Sequence, residues 1–594
     1  MMLAAGSDSG SAISLQLIEG GLTAIAVAFA FCWPTLGANF FRRVELAFGT
    51  LAKRRSWAVA IVGLSAFCLR LALLPLCPIP NPFVPDDFSF LLAANTFAQG
   101  RLANPTPAMW THFESMHISM QPAYMSMYFP AQGMILAAGK LLTGNPWFGL
   151  LCITALMCAA ICWMLQAWLP PTWALLGGII AVLHLSLFSY WINTYSGAGS
   201  LAALGGTLVL GALPRILRRA RMRDAMLLAI GVVIVALTRP YEGVLLCIPV
   251  FFVLFRWMFF AKNRPAPNRL IRLWAAPLAL IIAAGLWLGY YDAKVNGHPL
   301  TLPYTLNRAT YAVAPYWMWQ SPRPEPAYRH KVMRDFYTDF ELDYVHQIQH
   351  PSGFAFQLAF KPFVIALFFA GIALLPPLIW WPRALFDRRI RFFAGAACVW
   401  IPGMLLQIFL LPHYVAVFTG AFYCIGLQAM RHMRVRRFEA RPVGLALARF
   451  LVIVCIMMAA LRAWAEPLGL RYAVWPSASW NFDWYGPGHY GTARASVEKA
   501  LESMPGKQLV LVRYCPSHWA ADEWVYNAPD IDSSQVLWAR EMGTADNLEL
   551  MRHYSDRKAW LVQPDLHPGA ATPYAAAEQA TTAAVCPTVL ASAR

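Results

Sequence analysis

Two consecutive carboxylates, Asp86 and Asp87, follow an apolar run and a proline-rich lead, Cys77-Pro-Ile-Pro-Asn-Pro-Phe-Val-Pro85. The prolines restrict the backbone, so the pair is presented at a fixed point where the chain leaves the apolar run. Rare cations lie near the ends of other apolar runs: Arg70, Arg239 and Lys361. Glu242 follows Arg239 in the turn Leu237-Thr-Arg-Pro-Tyr-Glu-Gly243, and His413-Tyr414 follows Pro412. A carboxylate can take a proton from a hydroxyl, and cations can stabilise a departing phosphate. A sugar joined to a lipid through phosphate needs no general acid, because phosphate leaves as an anion. Glycoside hydrolysis instead requires two carboxylates in different roles. Asp86 and Asp87 are therefore candidate bases, and Arg239, Lys361 and Arg70 candidate phosphate ligands. Each residue also has a plainer reading: Asp86 as a helix cap, Arg239 paired with Glu242, and Arg70 and Lys361 snorkelling to an interface.

The elements that would position these groups are apolar. The chain has 594 residues, 58% hydrophobic and 13% charged, with mean hydropathy +0.48. Soluble domains carry about 25% charged residues, so a disordered chain, a basic nucleic-acid binder and an ordinary soluble enzyme are excluded. Twelve runs approach the roughly 20 apolar residues needed to span a bilayer: 12–33, 57–78, 146–168, 172–192, 197–214, 225–240, 242–260, 273–291, 357–380, 392–411, 413–430 and 443–465. The net charge of +17 resolves along this pattern. Five basic clusters, Arg42 to Arg55, Arg215 to Arg223, Arg256 to Arg272, Arg383 to Arg391 and Arg431 to Arg441, hold a net +20 with their flanking acids. The long segments 79–145, 292–356 and 466–594 together hold −5. Lys and Arg are retained on the cytoplasmic side, so the clusters face inward and the long segments outward. Both termini then lie outside. The first apolar run, with no basic residue before it and a dense cluster after it, reads as an uncleaved anchor.

Three organisational units follow: an anchor and basic loop over 1–56, a membrane unit over 57–465, and an outer domain over 466–594. In the first outer segment a helix is expected through Asn95 and Phe97 to Gly100, and an interfacial helix from Tyr128 to Leu142. The second segment is tyrosine-rich, with an amphipathic run from Tyr328 to Tyr344. The third has soluble composition, strand-like runs at Gln508–Tyr514 and Lys558–Val562, and a helical stretch near 544–554, as in a small α/β domain. Cys515 and Cys586 lie there and could pair in an oxidising compartment. Trp110, Trp317 and Trp319 sit in outer segments and could stack on sugar, although aromatic residues also form membrane-interface belts. Asp522-Glu-Trp524 and Asp530-Ile-Asp532 could bind acceptor or metal, or form a solvated face.

The chain resembles the GT-C superfamily of membrane glycosyltransferases, the group of protein O-mannosyltransferases and lipid A aminoarabinose transferase. The resemblance rests on Asp86-Asp87 opening the first large outer loop, a helix ending Ala98-Gln-Gly-Arg-Leu102, Tyr128-Phe-Pro-Ala-Gln-Gly133 leading into the interfacial helix, and the Thr238-Arg-Pro and Pro412-His-Tyr turns. It covers roughly residues 57–430 and implies a bacterial inner-membrane enzyme, Asp86 or Asp87 as catalytic base, and a polyprenyl-phosphate sugar as donor. Tyr128, Glu242, His413 and Tyr414 are then expected to contact substrate. One departure stands out: relatives often carry a basic phosphate ligand just before the Tyr-Pro-type motif, where this chain has Met127. Some family members use a divalent metal, for which Glu114, His112 and His117, with the two aspartates, are candidate ligands without a spacing-defined motif.

The expected fold is an α-helical polytopic membrane protein with a small C-terminal α/β domain. The expected function is inverting transfer of a sugar from a polyprenyl-phosphate donor to a hydroxyl of a lipid, glycan or protein acceptor, in contact with membrane lipids and without nucleic acid. A transporter or lipid flippase, and a non-catalytic envelope-assembly protein, are the alternatives. A transporter would place ionisable groups near span centres and repeat its halves.

Overall fold

The computed structural model describes residues 13–262, 264–472, 490–574 and 586. Among them, eight helices are long and apolar enough to cross a membrane: Leu15–Cys32, Arg55–Ala72, Trp147–Trp168, Gly199–Arg219, Pro240–Phe260, Pro267–Asn296, Pro351–Ala370 and Val443–Ala463. Each coincides with one of the twelve apolar runs. The other four runs are shorter or broken helices. Residues 172–192 form Pro171–Ala181, a wider turn over Val182–Ser186 and the short Tyr190–Asn193, while the remainder form Met222–Ala236, Arg391–Leu405 and Thr419–Arg434. Hydropathy alone reads these as full spans because their side chains are apolar, yet their apolarity is used in packing between helices. Pro267–Asn296 shows the opposite case. Its Ile271, Leu278, Ile282 and Leu286 lie at helical spacing and are all more than half exposed, an apolar stripe suited to lipid.

The helices approach closely where glycines allow it. The interfacial helix Pro130–Thr143 crosses Trp147–Trp168 at Gly139 and Gly149, and a Cβ on Gly149 would lie 2.1 Å from the Ile135 carbonyl oxygen. That crossing holds the start of the interfacial helix, and Tyr128 just before it, against the membrane unit.

The C-terminal region forms a four-stranded sheet in the order Val536–Arg540, Lys507–Val512, Arg557–Val562, Ala571–Pro573, with the first three strands parallel and the last antiparallel. Leu509, Val510, Leu511 and Val512 are all buried, as a parallel strand covered on both faces requires. Val510 and Val512 pack with Val497 and Leu501 of the helix Thr492–Glu502. Leu509 and Leu511 pack with Phe113, Ile118 and Met120, which belong to the first outer segment. That segment thus covers one face of the sheet. Polar ties reinforce the junction: Arg540 pairs with Glu523 at 2.7 Å and donates to the Glu114 carbonyl at 2.5 Å, and Arg101 pairs with Asp530 at 2.7 Å. Cys515 and Cys586 form a disulfide, with Cα atoms 5.7 Å apart.

Candidate active site

The helix Pro85–Ala98 starts with Val84 in extended conformation and Pro85 in the first turn, which leaves both aspartates in that turn. Their charge favours the helix dipole, but neither caps the helix through its side chain. Consecutive helical positions point about 100° apart, and this separates their fates. Asp87 is fully buried. Its Oδ1 accepts the Tyr195 N–H at 2.9 Å and its Oδ2 the Phe83 N–H at 3.3 Å. Burial pushes its carboxyl up to about 7, despite these two bonds. Asp87 joins three chain segments and does not line the cavity described next.

Asp86 lies on the wall of a cavity of about 430 Å³. Its Oδ1 accepts hydrogen bonds from His117 Nδ1–H and from the Tyr128 hydroxyl. Its Oδ2 makes no hydrogen bond among the described residues. Burial works to raise the Asp86 carboxyl, yet His117 and Tyr128 together hold it below the usual carboxylate range. Both partners are rigidly placed. Tyr128 stacks on Phe90, with ring centroids 4.5 Å apart and planes at 13°. His117 takes the left-handed φ of 60°, unusual for a residue with a side chain. Its carbonyl there accepts from Ser89 Oγ at 2.6 Å and from the Met127 N–H at 3.1 Å.

Across the cavity, Arg239 precedes the first turn of Pro240–Phe260, at the head of a candidate span. Its guanidinium lies 4.5 Å over the Tyr414 ring and donates to the Gly197 carbonyl at 2.9 Å. It makes no direct ion pair with Glu242 among the described residues; Glu242 is buried and accepts from Gln407 at 3.4 Å. His413 shares a 2.9 Å hydrogen bond with the Tyr190 hydroxyl. Burial, reinforced by Arg239, holds this imidazole well below its ordinary pKa. Gly197, at φ 77°, brings its backbone against the His413 ring, where a Cβ would lie 2.9 Å from Cγ. Arg239, Glu242, His413, Tyr414, Tyr128 and Asp86 all line the cavity.

Arg70 and Lys361, expected from the sequence as phosphate ligands, do not line it. Arg70 is fully buried and donates to the Cys77 carbonyl at 2.8 Å and to Asn193 Oδ1 at 2.9 Å, with its guanidinium 4.8 Å over Trp147. Lys361 is buried and donates to the Ile408 carbonyl at 2.7 Å. Carbonyls, rather than an anion, occupy both cations. Nor do the metal candidates converge. His117 serves Asp86, while His112 Nδ1 meets the Arg540 carbonyl at 3.2 Å. Glu114 accepts from Tyr311 at 3.0 Å. Among the described residues no group of three His, Cys, Asp or Glu side chains could hold a metal ion, so the residues present do not fit one.

The sequence reading missed part of the wall. Beside Trp317, named above as a possible sugar contact, the second outer segment supplies Tyr304, Arg308, Tyr316 and Glu341, and the C-terminal region supplies Trp519. Arg308 and Glu341 form a two-pronged buried pair at 3.1 and 3.2 Å. The tyrosine richness of that segment was a visible signal; which residues turn inward was not. Met127 also lines the cavity, so no basic side chain stands at that position.

No family model matches the chain, and no curated protein matches it. Solved structures do resemble it in fold. ArnT from Cupriavidus metallidurans bound to undecaprenyl phosphate is 12% identical with TM-score 0.45, over 89% of this chain and 95% of that one. An Archaeoglobus fulgidus oligosaccharyltransferase tethered to an acceptor peptide is 11% identical with TM-score 0.42, over 80% of this chain. The arabinofuranosyltransferase AftD from Mycobacteria is 14% identical with TM-score 0.37, over 87% of this chain. This chain spans 64% of the archaeal protein's length and 36% of the mycobacterial one's.

Proposed function

We propose that the protein is a membrane glycosyltransferase using a polyprenyl-phosphate sugar as donor, on the outer face of a bacterial inner membrane. The observation that carries this reading is the state of Asp86: one oxygen held by His117 and Tyr128, the other without a hydrogen bond among the described residues, on a cavity wall that also carries Arg239 at the head of an apolar helix. A base held ionised by two donors is ready to accept a proton. A cation at the end of a membrane helix suits a phosphate whose lipid tail stays in the bilayer.

In this reading Asp86 Oδ2 accepts the proton of an acceptor hydroxyl. The hydroxyl oxygen forms the new bond to the anomeric carbon from the face opposite the phosphate. The bond from that carbon to the phosphate oxygen breaks, and its electron pair leaves with the phosphate beside Arg239. The product is inverted at the anomeric carbon. Asp87 acts as a positioning residue, holding the backbone at Phe83 and Tyr195. The experiment is transfer from a panel of polyprenyl-phosphate sugars by the purified protein. Asp86→Asn should lower the rate by about 10²- to 10⁴-fold, the usual range for a positioned base, with the protein still folded. Full activity in Asp86→Asn would sink the assignment.

A further inference from the structure

A second cavity, of about 280 Å³, lies at the C-terminal end of the helix Pro303–Tyr311. Tyr304 and Arg308 of that helix line the Asp86 cavity, while Thr310 and Tyr311 line this one. Its walls come only from the first and second outer segments, and no candidate membrane span contributes. Three aromatic rings, Trp110, Tyr311 and Tyr328, stand beside Glu114, Gln121 and Arg329.

The polar groups are fixed in advance. Glu114 Oε1 accepts the Tyr311 hydroxyl at 3.0 Å and faces Arg329 Nη1 at 3.5 Å, and its Oε2 lies 3.5 Å from His330. The Arg329 guanidinium lies 4.7 Å over the Trp110 ring, and about half of its side chain is exposed. The single carboxylate is thus matched by a cation, so the cavity has no surplus positive charge to select a phosphate. What remains is a set of aromatic faces bordered by hydrogen-bonding edges. Aromatic faces take the C–H side of a sugar ring, while amide, carboxylate and guanidinium groups take its hydroxyls. The volume is at the small end of the roughly 300–1,000 Å³ usual for ligand cavities and suits one or two rings. A lipid chain would require apolar walls continuous with the spanning helices.

We propose that this cavity binds a neutral sugar ring of a glycan. Its bearing on the acceptor, a glycan rather than a lipid or peptide, rests on the glycosyltransferase reading. The test is binding alone, read without donor or turnover, so failure of the transfer reaction and failure of this site are separate results. The full-length protein, in phosphatidylcholine nanodiscs free of sugar-headed detergent, is titrated with maltotriose, cellotriose, mannotriose and galactotriose by saturation-transfer NMR. At least one trisaccharide should bind. Its affinity should fall at least tenfold in Arg329→Ala and in Gln121→Trp, two exposed positions, and stay unchanged in Asp86→Asn. The proposal is overturned if no trisaccharide binds, if binding survives both variants, or if Asp86→Asn abolishes it. It is equally overturned if the tripeptide Ala-Ser-Ala binds at this site and the sugars do not.

Discussion

Tyr128→Phe removes one oxygen and nothing else. The Phe90 ring, 4.5 Å from the Tyr128 ring, holds the phenyl group where the phenol was, so Asp86 loses one of the two hydrogen bonds to its Oδ1 while its surroundings persist. A hydrogen bond to a charged group contributes about 1.5–3 kcal/mol, and each 1.36 kcal/mol moves a titration by about one pH unit. Asp86 is held below the ordinary carboxylate range, so in the wild type its ionised form persists across mildly acidic pH and is lost only as pH falls through that depressed value. Without the Tyr128 donor, His117 alone of the two hydrogen-bond partners opposes burial, and the acid limb of the transfer rate climbs by about 1 to 2 pH units. The assay is initial rate against pH for wild type and Tyr128→Phe with one polyprenyl-phosphate sugar, together with a thermal midpoint at each pH to exclude unfolding. A limb that stays put, or moves to lower pH, would refute the claim that this hydroxyl keeps the base ionised.

Three other perturbations separate chemistry from support. Arg239→Gln should weaken polyprenyl-phosphate binding at least tenfold with little change in melting, whereas Arg70→Met should leave that binding intact and cost about 1–3 kcal/mol of stability for each buried acceptor it strips of a donor, the Cys77 carbonyl and Asn193; lipid titration alongside thermal melting distinguishes them. Arg540→Met should leave Glu523 as an unpaired buried carboxylate beneath the outer domain, and limited proteolysis should then cut between residues 490 and 574 well before the membrane unit. Gly197→Ala should cost about 1–3 kcal/mol from overpacking and reduce activity, because the new methyl meets the His413 ring in a backbone region that disfavours side chains; a melting curve with unchanged midpoint would contradict this.

Much of the architecture follows from periodicity and composition. The eight long spans lie where apolar runs lie, because hydrocarbon excludes polar side chains and forces backbone hydrogen bonds to close within each helix. The helix from Pro85, the interfacial helix from Pro130, the strands beginning at Lys507 and Arg557, and the helix Thr544–His553 were legible for the same local reasons: proline and glycine punctuation and the change from period 3.6 to continuous β-rich runs. The convergence of Asp86, Tyr128, Arg239, Glu242, His413 and Tyr414 on one cavity was signalled by the placement of rare polar residues at the same ends of apolar runs.

What the sequence did not contain is which member of each ambiguous set does which job. Asp86 and Asp87 are chemically identical neighbours. Only the packing of Tyr195 and Phe83 around one, and of His117 and Tyr128 around the other, tells the tie from the candidate base. Arg70, Lys361 and Arg239 likewise read alike as isolated charges. Backbone carbonyls that fall beside the first two only after folding satisfy them in place. His117 was a candidate metal ligand by its residue type and its nearness in sequence to Glu114 and His112, while the left-handed turn that aims it at Asp86 was not visible. Sequence fixes which groups are present and which apolar runs they flank, since those depend on local hydropathy and charge. The role of each depends on contacts between residues tens to hundreds of positions apart, and these exist only once the chain has packed.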